Sequence, residues 1–106
     1  MAKLFEAIRL RGVEVRNRIF IAPMCMYSCE DRDGMPNQWH LVHLGSRASG
    51  GAGLIIAEAT AVSPEGRITP WCTGLWNEGQ AARWAEVNQF IHSQGAKSAI
   101  QLAHAG

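Results

Sequence analysis

Short alternating runs of apolar and polar residues open the chain, and longer apolar segments separated by stretches of helical period follow. Residues 4 to 16, LFEAIRLRGVEVR, alternate on either side of Arg11-Gly12, which predicts a β-hairpin or a pair of extended arms. Arg18 to Met24 is apolar on both faces, as a strand buried within a parallel sheet is. Pro36-Asn37 then opens a helix, QWHLVHLGSRAS, whose Leu41, Leu44 and Ala48 form the buried stripe, and Gly50-Gly51 ends it. A second apolar strand, GLIIAEATA, covers residues 53 to 61, and a long loop runs over residues 62 to 76, with Pro64-Glu65-Gly66 as its turn signal. Asn77 to Ser93 reads as a second helix. Asn77 and Gln80 make its capping box, Trp84, Val87 and Ile91 its apolar face, and Gly95 its stop. Residues 97 to 103, KSAIQLA, make the third strand.

The order strand-helix-strand-helix-strand predicts an α/β chain with a parallel sheet. A doubly wound sheet and a (β/α)8 barrel both satisfy it, and both gather ligands at the carboxyl ends of their strands. The first strand ends in Pro23-Met24-Cys25, the second in Glu58-Ala59-Thr60 and the third in Gln101-Leu102-Ala103-His104. The unusual chemistry of the chain therefore falls on one edge, and the long loop leaves from it too. On the third strand, alternation sets Ile100 and Leu102 on the face expected to pack under helices. Ala99, Gln101 and Ala103 lie on the other, where one amide among small residues leaves room for a flat ligand.

Composition narrows the class. The 106 residues are 47% hydrophobic and 18% charged, which is globular and not disordered. A formal charge of +1 with no basic block points away from nucleic acid and from an anionic membrane. No apolar run approaches the roughly 20 residues a bilayer requires, and MAKLFEAIRLRG lacks the apolar core of a signal peptide. Cys25, Cys29 and Cys72 are sparse and odd in number, as reduced thiols are, so a cytoplasmic location is expected.

Each candidate residue also has a purely structural reading. Cys25 also reads as a small buried residue, Gln101 as a partner for a backbone group, and Tyr27 as ordinary surface. Glu58 is expected to pair with an arginine or with backbone amides. His40, His43 and Arg47 share a helical stripe and are expected to bond the adjacent loop, and His92 sits on an exposed helix face. The glycines of GSRASGGAGL precede a strand, whereas nucleotide-binding glycines follow one and open a helix, so that reading is rejected. A zinc site from Cys25, Cys29, His40 and His43 has permitted spacing but the wrong flanking order, and no metal is expected.

Taken together, NRIFIAPMCMYS, GGAGLIIAEATAVSPEGRIT and IQLAHAG resemble the N-terminal third of the Old Yellow Enzyme family. The cysteine in PMCMY points to the thermophilic-like, YqjM-type branch of these flavin-dependent ene-reductases. The resemblance implies the first three βα units of a (β/α)8 TIM barrel, with an N-terminal hairpin closing its bottom, so that residues 1–106 are a partial FMN-binding domain. It also implies FMN as cofactor and NAD(P)H as reductant, in a ping-pong reaction passing hydride to the C=C bond of an enone or enal. Pro23 and Met24 would then lie against the flavin, Cys25 near its redox-active edge, and Ala59 would offer its backbone. Gln101 would bond the pyrimidine part, and Tyr27 would face the substrate, so that Cys25 and Tyr27 are the catalytic candidates.

A whole barrel takes about 250 residues, so the chain is expected to be a truncated product or partial sequence. Residues for the FMN phosphate and the substrate carbonyl are expected beyond residue 106. By itself the chain would expose the apolar face and unpaired edges of an open sheet. A second reading is therefore a non-catalytic barrel fragment that acts by associating with a complementary chain or another copy of itself.

Overall fold

The structure is a computed structural model that describes residues 2–106. After a 3-10 turn at Lys3–Phe5 come β1 (Ile8–Leu10) and β2 (Val13–Val15), then β3 (Phe20–Ile21), α1 (Gln38–Ser49), β4 (Leu54–Ala61), α2 (Glu78–Ser93) and β5 (Lys97–Ala103). β1 and β2 form an antiparallel hairpin in which Leu10 faces Val13. Arg11 takes the left-handed φ of 53° that so tight a connection requires. The other strands form a parallel sheet in the order β3-β4-β5. Three βα strands are present with two helices, the third unit being represented by its strand.

Both helices begin as the sequence predicts, with Asn37 and Asn77 as reciprocal N-caps. The Asn77 side chain accepts from the Gln80 N–H at 2.8 Å, and Gln80 Oε1 accepts from the Asn77 N–H at 3.2 Å. Their inner faces meet the sheet in one core: Leu44 and Ala48 from α1, Trp84, Val87 and Ile91 from α2, and Ile55 and Ala57 from β4. Fully burying a side chain such as Ile55 or Ile91 contributes about 1.5–3 kcal/mol. Gly45 allows the helices to approach, since a Cβ there would lie 2.8 Å from the Phe90 ring.

The hairpin docks at the N-terminal ends of the parallel strands. Val15 is fully buried. Arg16 donates to the carbonyls of Gln94, Ala48 and Ala52 at 2.6, 2.9 and 3.0 Å, joining the C-terminal ends of both helices to the start of β4. Cations are favoured there by the helix dipoles. The bottom of the sheet is thus tied by Arg16 together with Asn17, whose side chain donates to the Gly51 carbonyl at 2.7 Å.

Two expectations need correction. The strand expected over Arg18 to Met24 is regular only at Phe20–Ile21, because β3 has a single neighbour and Pro23 cannot donate to a ladder. Leu102, expected beneath a helix, is 58% exposed, whereas Ile100 packs against the core. The β4–β5 register slips between Ala57 and Thr60. A bulge of this kind re-aims side chains locally.

Candidate functional site

At the carboxyl edge of the sheet, the bulge in β4 decides what faces where. Ala57 pairs with Ile100 and Thr60 with Leu102, so Glu58 and Ala59 both lie opposite Gln101 and outside the regular ladder. The extra residue lets Glu58 follow Ala57 into the buried side while Ala59 stays half-buried. Gln101 is exposed between Ala99 and the half-buried Ala103 on β5, the small-residue setting expected of it.

From β3 the chain passes through Pro23, Met24 and Cys25 to Tyr27. Met24 and Tyr27 are largely exposed, while Pro23 and Cys25 are half-buried. The segment is brought over β4 by a hydrogen bond from the Met26 N–H to Glu58 Oε2 at 3.0 Å. This places Cys25 and Tyr27 beside the end of β4, where Ala59 lies. The Cys25 sulfur beside it is the main cause that pushes the Tyr27 phenol above its ordinary value, ahead of desolvation. Tyr27 therefore remains a protonated donor at neutral pH. Its φ of 52° is the left-handed conformation, unusual for an aromatic residue.

The long loop, residues 62–76, closes over the same end through several ties. Thr60 and Thr73, both fully buried, share a hydrogen bond at 2.9 Å. The Cys29 N–H donates to the Trp71 carbonyl and the Gly74 N–H to the Gly34 carbonyl. Arg67 donates to the carbonyls of Arg32, Pro64 and Pro70 and stacks over the Trp76 ring. Gln80, fully buried, donates to the Asp33 carbonyl at 3.0 Å. The two loops form one cross-braced rim.

The remaining candidates are dispersed. Cys29 and Cys72 are buried free thiols, and burial pushes Cys29 up to about 12. Such a thiol stays protonated at neutral pH. Among the described residues no three His, Cys, Asp or Glu side chains converge on a metal-sized centre. His40 and His43 part company despite sharing a helix face. His40 is fully buried, whereas His43 is only half-buried, with burial and then Arg47 lowering its pKa. Arg47 bonds Ser46 on the surface. Glu58 finds a backbone amide, as expected, and also a histidine that sequence reasoning missed: His40 Nε2 lies 3.3 Å from Oε1. A lone carboxylate in an apolar strand was the available signal that a buried polar partner existed.

A cleft of about 710 Å3 lies between the 28–39 segment and α2, lined by Ser28, Asp33, Pro36, Trp39 and Arg83 among others. It does not include Cys25, Ala59 or Gln101. Those three lie on an open strand edge, because three strands do not curve far enough to enclose a pocket. The strand edge, where the unusual residues converge, is the candidate site.

A parallel βαβαβ unit with a hairpin beneath it and its reactive side chains at the strand tips is the architecture of a (β/α)8-barrel enzyme's first segment. The chain belongs to the NADH:flavin oxidoreductase / NADH oxidase family, whose model matches residues 3–106. It is 50% identical over 104 residues to an NADPH dehydrogenase of Halalkalibacterium halodurans, covering 98% of this chain and 31% of that protein. It is 52% identical to one of Bacillus pumilus, with the same coverage. Among solved structures, morphinone reductase in complex with tetrahydroNAD matches all of this chain and 28% of its own at 34% identity and a TM-score of 0.89. The old yellow enzyme homologue from Zymomonas mobilis matches 97% of this chain and 28% of its own, at 35% identity and 0.87. The resemblance to the Old Yellow Enzyme family is borne out, as is the partial-barrel fold. The chain spans about a third of the length of the curated relatives it matches.

Proposed function

We propose that this chain forms the first part of an FMN-dependent NAD(P)H oxidoreductase that reduces the C=C bond of α,β-unsaturated carbonyl compounds. The observation that carries it is the gathering of Cys25, Ala59 and Gln101 at one strand edge, around a bulge that takes Ala59 out of its ladder. The residues fit a flavin. Ala59 lies outside the regular pairing, so its backbone is available to a ring nitrogen or carbonyl. Exposed Gln101 carries an amide able to donate and accept at once, as the pyrimidine part of a flavin demands. The alanines flanking it keep the floor flat.

Bound FMN would supply hydride transfer from NAD(P)H to the substrate alkene. The residues of this chain hold and orient. Pro23 and Met24 form an apolar wall against the ring, and Cys25 sets its local polarity. Tyr27, kept protonated, donates a hydrogen bond to the substrate. The test is anaerobic reduction by NADPH of the FMN-loaded protein in which this chain is assembled with the remaining barrel strands, followed by 2-cyclohexen-1-one. Flavin absorbance is expected to bleach and then return. Absence of bound flavin, or a reduced flavin indifferent to the enone, would refute the assignment.

A second reading concerns partners. Phe20 and Leu102 are 39% and 58% exposed on strands with one open edge each. Parallel sheets are normally covered on both faces. We infer association with further barrel strands, and analytical ultracentrifugation of the 106-residue chain with and without a chain supplying them would test it. A stable monomer that gains no mass in the mixture would refute it.

A further inference from the structure

We propose that His40 and Glu58 are a buried positioning pair that holds the Cys25–Tyr27 turn, and through it tunes the flavin-facing edge. The proposal rests on the flavin reading above. Glu58 is 4% exposed and His40 fully buried. Glu58 Oε2 accepts from the Met26 N–H at 3.0 Å, and its Oε1 faces His40 Nε2 at 3.3 Å. His40 Nδ1 accepts from the Asn37 N–H at 3.0 Å, so in the neutral ring the proton resides on Nε2, the nitrogen beside the carboxylate. Among the described residues neither Nε2 nor Oε1 has a hydrogen-bond partner, so the contact between them is electrostatic. Trp84 sits edge-on to the imidazole with ring centroids 6.4 Å apart, closing the other side. The N-cap of α1, His40, Glu58 and Met26 therefore form one continuous chain of contacts.

Three observations favour positioning over mere stability. Burying a carboxylate beside an imidazole is costly, and an apolar pair of similar volume stabilises a core as well or better. Among the described residues, Met26 is the one position between Ala22 and Tyr27 whose backbone N–H is bonded to another element. The residue that follows it, Tyr27, is held at φ 52°. A left-handed aromatic residue is strained and persists only when its surroundings over-determine it. Glu58 holds the amide just before Tyr27, while Asn37 and Trp71 hold Ser28 and Cys29 just after it, and the residues on either side of the clamped amide are Cys25 and Tyr27.

The experiment uses the FMN-loaded protein with Glu58→Ala, Glu58→Gln, His40→Asn and Cys25→Ala, alone and in combination. Flavin midpoint potential and amide exchange at Met26 are the readouts. Glu58→Ala should shift the potential in the same direction as Cys25→Ala and speed Met26 exchange about tenfold or more, as loss of a hydrogen bond to a charged group does. Glu58→Gln keeps one oxygen for Met26 and should restore most of both. His40→Asn, which can still accept from the Asn37 N–H, should give an intermediate shift, and it keeps the test alive if Glu58→Ala does not fold. Combined with Cys25→Ala, no Glu58 or His40 variant should shift the potential further. Unchanged potentials with FMN bound, or shifts that add fully to that of Cys25→Ala, would overturn the proposal. A protein that binds no FMN in any form would sink the flavin reading instead, and Met26 exchange would still decide the clamp.

Discussion

Gln80 joins three parts of the molecule, and its removal tests whether the two loops form one rim. Its Oε1 accepts from the Trp76 and Asn77 N–H groups at 2.7 and 3.2 Å, and its Nε2 donates to the Asp33 carbonyl at 3.0 Å. The side chain is fully buried. Gln80→Ala leaves two amides and a carbonyl without partners. Each such amide costs about 1–3 kcal/mol, so the total loss is about 2–5 kcal/mol after partial hydration of the gap. Gln80→Glu keeps both acceptances and places negative charge at a helix N-terminus, which is favourable. It forfeits the bond to Asp33 and sets a carboxylate against a carbonyl, for a net loss of about 1–2 kcal/mol. Urea denaturation of both variants gives the totals, and amide exchange at Trp76 and Gly74 locates the damage. A Gln80→Ala protein within about 0.5 kcal/mol of wild type, the range of a surface change, would refute the reasoning. So would a Glu variant less stable than the Ala variant.

Arg16→Ala should lose about 1–2 kcal/mol, since three carbonyls at helix and strand ends lose a forked, charged donor that is itself solvent-exposed. Arg16→Lys should recover less than half of this in denaturation, because an ammonium has no fork. Cys25, the half-buried thiol, should be alkylated by iodoacetamide well before Cys29 and Cys72 in the native protein, with peptide mapping as the check. Cys29 ionises near 12 when folded against an ordinary 9.0. Its anion is disfavoured in the folded state, so stability should hold below pH 9 and fall as pH rises from there towards 12. Cys29→Ala should flatten that alkaline slope in urea titrations.

The helices were legible because their signals are local. Asn77 with Gln80, the Trp84-Val87-Ile91 spacing and the stop at Gly95 all lie within one or two turns of what they control, and α2 forms as read. β4 and β5 were legible for a similar reason, their apolar runs being bounded by turn residues. β3 was overread, since apolar composition says nothing of how many neighbours a strand has. Leu102 was misplaced because strict alternation assumes an unbroken ladder, and the slip between Ala57 and Thr60 leaves no mark in composition. The carboxylate of Glu58 advertised a need for partners but could not name them. His40 and Met26 lie 18 and 32 positions away.

What the residues alone determined is therefore the order of elements, the face each helix buries, and the edge on which Cys25, Ala59 and Gln101 would meet. These follow from periodicity and capping, whose range is a few residues. Only the tertiary structure decided which carbonyls Arg16 and Gln80 would satisfy, how the β4 bulge turns Glu58 inward, and that His40 stands behind it. Those choices depend on buried polar groups finding partners across the fold, and desolvation makes that pairing obligatory without specifying it in any local stretch of chain.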